Sequence, residues 1–113
     1  MNHFHYNEVE NEEVPSPAEG VKVRWLIDEG TGAPNFAMRM FEVEPGGSTP
    51  YHTHDWEHEV FILQGEGFAV REDGTEDPVK PWDVVYVEPN ERHCFRNEGE
   101  ETLRFLCLIP LME

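Results

Sequence analysis

Six histidines occur in the chain, and three of them, His52, His54 and His58, fall within seven positions. They sit in the run Tyr51-His52-Thr53-His54-Asp55-Trp56-Glu57-His58-Glu59, and a fourth, His93, opens a later apolar stretch. Neutral imidazole is a ligand for zinc, copper, iron and nickel, so several converging on one point could hold one transition-metal ion. On a strand, His52 and His54 share a face because alternate side chains do. A reversal at Asp55-Trp56-Glu57 would bring the following segment back beside the first and let His58 meet the pair across a rung. A lone His-x-His is an ordinary feature of an exposed polar hairpin. His58 and His93 together are what turn the reading toward a mononuclear metal site.

The elements that must position these residues read as strands throughout. Apolar and alternating stretches cover 21–27, 35–44, 49–54, 58–64, 68–72, a short piece near Val79, 84–87, 93–97 and 102–110. Between them stand turn formers: Pro45-Gly46-Gly47-Ser48, Gly65-Glu66-Gly67, the hairpin pair Asp73-Gly74, Pro81-Trp82-Asp83 and Glu88-Pro89-Asn90-Glu91. No window keeps a helical period. About nine short strands at this spacing predict an all-β sandwich or barrel with long-range antiparallel pairing. The barrel domain is expected over 21–113. Residues 1–20 hold no base, five glutamates and two prolines, and read as an acidic arm or tail outside it. His3 and His5 belong to that segment.

With 24 acidic and eight basic residues, the net charge is −16. Phosphate contacts need clustered Lys and Arg, so nucleic acid is not an expected partner, nor is an anionic membrane surface. No apolar run is long enough to span a bilayer, and the N-terminus lacks the basic-then-apolar layout of a signal peptide. A cytoplasmic protein is expected. Cys94 and Cys107 do not make a disulfide framework and read as buried, reduced thiols.

Gly46, five residues, His52-x-His54, then His58 or Glu59, then Gly65, resembles the first motif of the cupin superfamily. Pro89-Asn90-Glu91-Arg92-His93 followed by Asn97 resembles the second, in which a lone histidine completes the site. The chain is thus similar to the small single-domain bacterial and archaeal cupins. Trp82, where the second motif usually opens with glycine before its aspartate (here Asp83), and Glu91, in place of an internal glycine, depart from the pattern. The resemblance implies a double-stranded β-helix (jelly-roll) barrel, one divalent metal ion inside its mouth and a homodimer.

The acidic ligand of the family falls three or four residues beyond the second histidine, which here means His58 or Glu59. Strand parity lets only one of them face inward, and both faces of 58–63 are equally apolar. Related cupins with this hairpin use the histidine, so the implied ligands are His52, His54, His58 and His93, with Glu59 in reserve. Manganese, iron, zinc, nickel and cobalt all suit such a set. Four neutral imidazoles leave the ion's full charge uncompensated, which favours a small anionic or enolisable organic molecule as substrate or ligand. Decarboxylation, isomerisation, lyase chemistry or dioxygenation is the implied enzyme class, and a non-catalytic binding or sensing protein with a structural metal is the alternative. An inward Arg39 could grip a carboxylate, although an outward Arg on a two-faced strand is the more ordinary arrangement.

Overall fold

The computed structural model describes residues 1–111, and nearly all regular structure in it is β. Nine strands follow one another: β1 Glu12–Glu13, β2 Glu19–Ile27, β3 Phe36–Ser48, β4 His58–Gln64, β5 Gly67–Val70, β6 Glu76–Val79, β7 Val84–Val87, β8 Cys94–Arg96 and β9 Leu103–Pro110. Two single 3-10 turns, Tyr6–Glu8 and Glu29–Thr31, are the only helical pieces among the described residues, and no helix is long and apolar enough to cross a membrane.

The strands pair in the order β6-β5-β8-β3-β9-β4-β7, with β2 added on β3 and β1 on β2. All pairings are antiparallel. β3 joins the two halves of this jelly-roll barrel. Its first eight residues pair with β9, and its last, Ser48, pairs with Arg96 of β8. Between them the chain bends at Pro45-Gly46-Gly47, where Gly46 takes a φ of +86° that a side chain would resist. The strand expected to end at Glu44 therefore runs on through the turn formers.

Burial alternates along β9, with Leu103, Phe105, Cys107 and Ile109 inside. Val60 and Ile62 of β4 and Ala37 and Val43 of β3 meet them in the core. The turn after β4 is held by Gly65, at φ +82°, where an added Cβ would come within 2.6 Å of the Thr102 carbonyl oxygen. The first twenty residues lie against the barrel: Glu12 and Glu13 pair with Val23 and Lys22, the Val9 carbonyl accepts from Arg24, and Val14 packs on the core.

One expected element differs. Residues 49–54 are not a strand, and only His52 bridges, to His93. Pro50 has no N–H to give a ladder. The Phe95 N–H goes to the Thr49 hydroxyl at 2.8 Å instead of to a backbone carbonyl. The chain also does not fold back on itself after Asp55-Trp56-Glu57. β4 pairs with β7 and β9 instead, so His58 approaches the other histidines across the barrel interior.

Candidate metal centre

His52 and His93 face each other as a bridging pair and exchange both backbone hydrogen bonds, at 3.2 and 3.1 Å. His54, two residues on, lies on the same side, its ring centroid 4.2 Å from that of His52 and 5.9 Å from that of His93. One ring nitrogen from each of His52, His54 and His93 can be chosen so that all three lie within 4.8 Å of one another. The His93 Nδ1 is 2.8 Å from the Glu91 carbonyl oxygen. A carbonyl only accepts, so Nδ1 carries the proton and Nε2 keeps its lone pair for a cation.

His58 comes from β4 and is only 5% exposed. Its ring stands 4.9 Å from those of His54 and His93, outside the tightest three-histidine group. The Nδ1 edge faces the Cys107 Sγ at 3.3 Å and the Arg39 Nη2 at 3.4 Å. The Nε2 edge is buried without a hydrogen-bond partner among the described residues. Glu59 is exposed on the opposite face of β4, where it lines a separate surface depression with Glu57. His3 lies in the exposed N-terminal segment, and the His5 side chain caps the Tyr6–Glu8 turn.

The surroundings keep three of these imidazoles unprotonated. Burial, then the neighbouring His93 and Arg39, hold His58 down at about 3. Burial, then His52 and His93, bring His54 to about 4, and His52 is lowered by burial, His93 and Arg39. These imidazoles are neutral, lone-pair donors at neutral pH.

The four histidines floor a cavity of about 340 Å³ that Trp25, Phe41, Phe95, Phe105, Arg39 and Cys107 also line. Arg39 points inward, against the ordinary arrangement expected of it. It shares the inner face of β3 with Ala37 and Phe41, its guanidinium lies 5.3 Å from the Trp25 ring centroid and 4.8 Å from that of Phe41, and its Nη2 donates to the Cys107 Sγ at 3.1 Å. Met38 and Met40 hid this parity, because they make the outer face of β3 as apolar as the inner one. Cys107 has its expected burial, and its contact with His58 is a feature that the strand pattern alone did not reveal.

A family model described as "Cupin domain" matches residues 39–109. The chain is 35% identical over 98 residues to 1-methylthio-D-xylulose 5-phosphate methylsulfurylase from Rhodospirillum rubrum, covering 87% of this chain and 61% of that one. It is 36% identical over 72 residues to the oxalate-binding protein from Thermotoga maritima, covering 63% and 59%. The chain thus spans about three-fifths of these relatives' own lengths. Among solved structures, the polyketide cyclase RemF from Streptomyces resistomycificus superposes with a TM-score of 0.93 at 38% identity, covering 99% of this chain and 80% of that one.

Proposed function

The chain belongs to the cupin family, and from that membership we propose that it is a mononuclear metalloprotein acting on a small anionic or enolisable organic molecule. His52, His54, His93 and His58 would hold one divalent transition ion, and Glu59, on the outer face, would not. The observation that carries this reading is the buried Nε2 of His58, without a hydrogen-bond partner among the described residues, beside the group of His52, His54 and His93. A buried polar atom left unpaired costs about 1–3 kcal/mol, and a bound cation removes that cost.

When bound, the ion supplies Lewis acidity, polarising an oxygen of the molecule it meets. The chain's own residues set the rest. With Nδ1 accepting from its neighbours, His58 keeps its proton on Nε2. Were Nε2 to hold a cation, the proton would stand on Nδ1, where the Cys107 sulfur would be its acceptor, because Arg39 has no lone pair to offer. Neutral imidazole ligands would leave the charge of a bound ion uncompensated, and the Arg39 guanidinium adds to it, which favours anionic or enolisable oxygen groups. The oxalate-binding relative and the polyketide cyclase both have names consistent with oxygen-rich molecules of this kind.

One observation favours a second reading, a non-catalytic binding protein with a structural metal. Apart from the histidines, Arg39 and Cys107, the titratable residues lining the cavity are Glu12 and Glu13 of the arm, so no dedicated general acid or base stands at its floor. We also propose, from the family resemblance, that the protein is a homodimer, and that it works in the cytoplasm, a compartment that would keep the two buried thiols reduced.

Elemental analysis of untagged protein should return close to one transition metal per chain. His93→Ala and His58→Ala should each weaken metal retention by roughly tenfold or more, and Glu59→Ala should leave it unchanged. Retention that falls with the glutamate change alone would overturn the place given to His58. Turnover of small organic acids by manganese-, iron- and zinc-loaded protein separates the enzyme from the binder, which would return its ligand unaltered.

A further inference from the structure

The cavity above the histidines is built for more than a charge. Trp25, Phe41, Phe95 and Phe105 line it, together with Val14 and Pro15 of the N-terminal arm. Phe105 anchors this wall, with its ring centroid 5.5 Å from that of Phe41 and 4.7 Å from that of Phe95. In a volume of about 340 Å³, a compact dianion would fill the floor and leave Trp25 and Phe41, the two rings that are not buried, in contact with water.

Arg39 supplies the second half of the argument. The chain carries three times as many acids as bases, yet no carboxylate among the described residues pairs with Arg39. Arg24, Arg71, Arg96 and Arg104 all have such partners, and Arg92 lies exposed on the surface. Arg39 is the only Lys or Arg lining the cavity. Trp25 and Phe41 flank its guanidinium, Nη2 is used by Cys107 and His58, Nε is buried without a partner, and Nη1 makes no hydrogen bond among the described residues. A guanidinium held in place by aromatic rings, with donors unspent, is suited to a carboxylate or another acidic oxygen group.

We propose that the cavity takes an amphiphilic anion: an acidic oxygen group directed at Arg39 and the histidine floor, carried on a flat aromatic body that lies against Trp25 and Phe41. The inference rests on the metal reading above for the floor of the site, and on Arg39 and the aromatic wall for what lies over it. The ligand's charge is read by the arginine and its shape by the rings. Each component alone is a poorer ligand.

The test titrates the full-length, zinc-loaded protein calorimetrically with 2-naphthoate, with oxalate and with neutral 2-naphthalenemethanol, with zinc measured on the same samples. Naphthoate should bind about tenfold or more tighter than either of the others. In Arg39→Met, the preference for naphthoate over the alcohol should collapse, and Arg39→Lys should restore part of it by returning the charge without the fork. In Trp25→Ser, a change at the rim of the cavity, naphthoate should weaken while oxalate holds. Oxalate binding as tightly as naphthoate, or a naphthoate preference that survives in both Arg39→Met and Trp25→Ser, would overturn the inference. Failure of the metal reading shows separately, as wild-type protein that retains no zinc. Naphthoate selectivity in that metal-free chain would still support the arginine and the wall, and its absence would overturn them as well.

Discussion

His58 carries more of the electrostatic character of the centre than its three neighbours, because it is the most buried of the four and lies beside Arg39. Its folded pKa of about 3, with His54 at about 4, lies far below the ordinary 6.5. An unfolded chain takes up protons on these rings as pH drops through 6.5, while the folded one stays neutral until about 4 or below. The unfolded state therefore binds more protons in that window, and stability falls with pH. The contribution is complete above about 6.5 and is lost as the pH approaches the folded values. For chelator-stripped protein, the unfolding free energy from urea titrations should drop between pH 6.5 and 4, by up to about 1.4 kcal/mol per pH unit for each uncoupled histidine. His58→Gln should flatten the slope, and an identical slope in the variant would show that His58 is not the buried, neutral group described here. That His58 and Glu59 oppose each other was legible in strand parity. Which of them turns inward was not, since Phe61 and Leu63 make the outer face as apolar as the Val60 and Ile62 side.

At the scale of elements, the strand content and most turns were readable because period-two alternation and Gly or Pro punctuation are local signals. The pairing around the site was not, because it depends on which distant strand claims each backbone. The 49–54 segment looks like a strand by composition, but Pro50 and the Thr49 hydroxyl limit it to a single bridge. That bridge, not a hairpin, brings His93 to His52. Asn97 secures the element that follows His93. It is fully buried, its Nδ2 donates to the carbonyls of Val43 and Glu101 at 2.8 and 2.9 Å, and its Oδ1 accepts from the Gly99 N–H at 2.9 Å. Asn97→Leu would strand the Val43 and Glu101 carbonyls and the Gly99 N–H at the junction of β3, β8 and β9. A loss of about 2–4 kcal/mol in unfolding free energy is expected. Asn97→Asp should also destabilise, because it turns a carboxylate toward two carbonyls. Unfolding midpoints within error of wild type for both variants would refute the role given to this amide.

At the scale of the whole molecule, the outer face of β3, β9, β4 and β7 is the feature that a monomer does not explain. The register sets Met38, Leu108, Glu59 and Tyr86 side by side in one row and Met40, Leu106, Phe61 and Val84 in the next, seven apolar residues in eight, of which Met40 is already buried within the chain. Trp82 adds an indole that is 71% exposed, on a backbone at φ +79° that glycine would hold without strain. With Phe61, Val84 and Tyr86 exposed by 36, 76 and 56%, these four side chains present roughly 500 Å². That is near the upper end of what monomers leave bare and over half of the ~800 Å² that each partner contributes to a standard interface. β7 is also the last strand of its sheet, with an unpaired edge. The homodimer proposed above would place a second copy of the chain on this face, through a twofold contact in which the same rows meet. No Lys or Arg stands in either row, which argues against a partner selected by its own acidic charge. Light scattering should give a dimer for wild type. Phe61→Glu and Val84→Glu should each yield monomers with unchanged metal content, because both side chains point away from the histidines. Since each protomer carries a net charge of −16, added salt should tighten the dimer by screening repulsion while leaving the apolar contact intact. A monomeric wild type at tens of micromolar in moderate salt, or a dimer that both glutamate substitutions leave untouched, would remove this face as the interface.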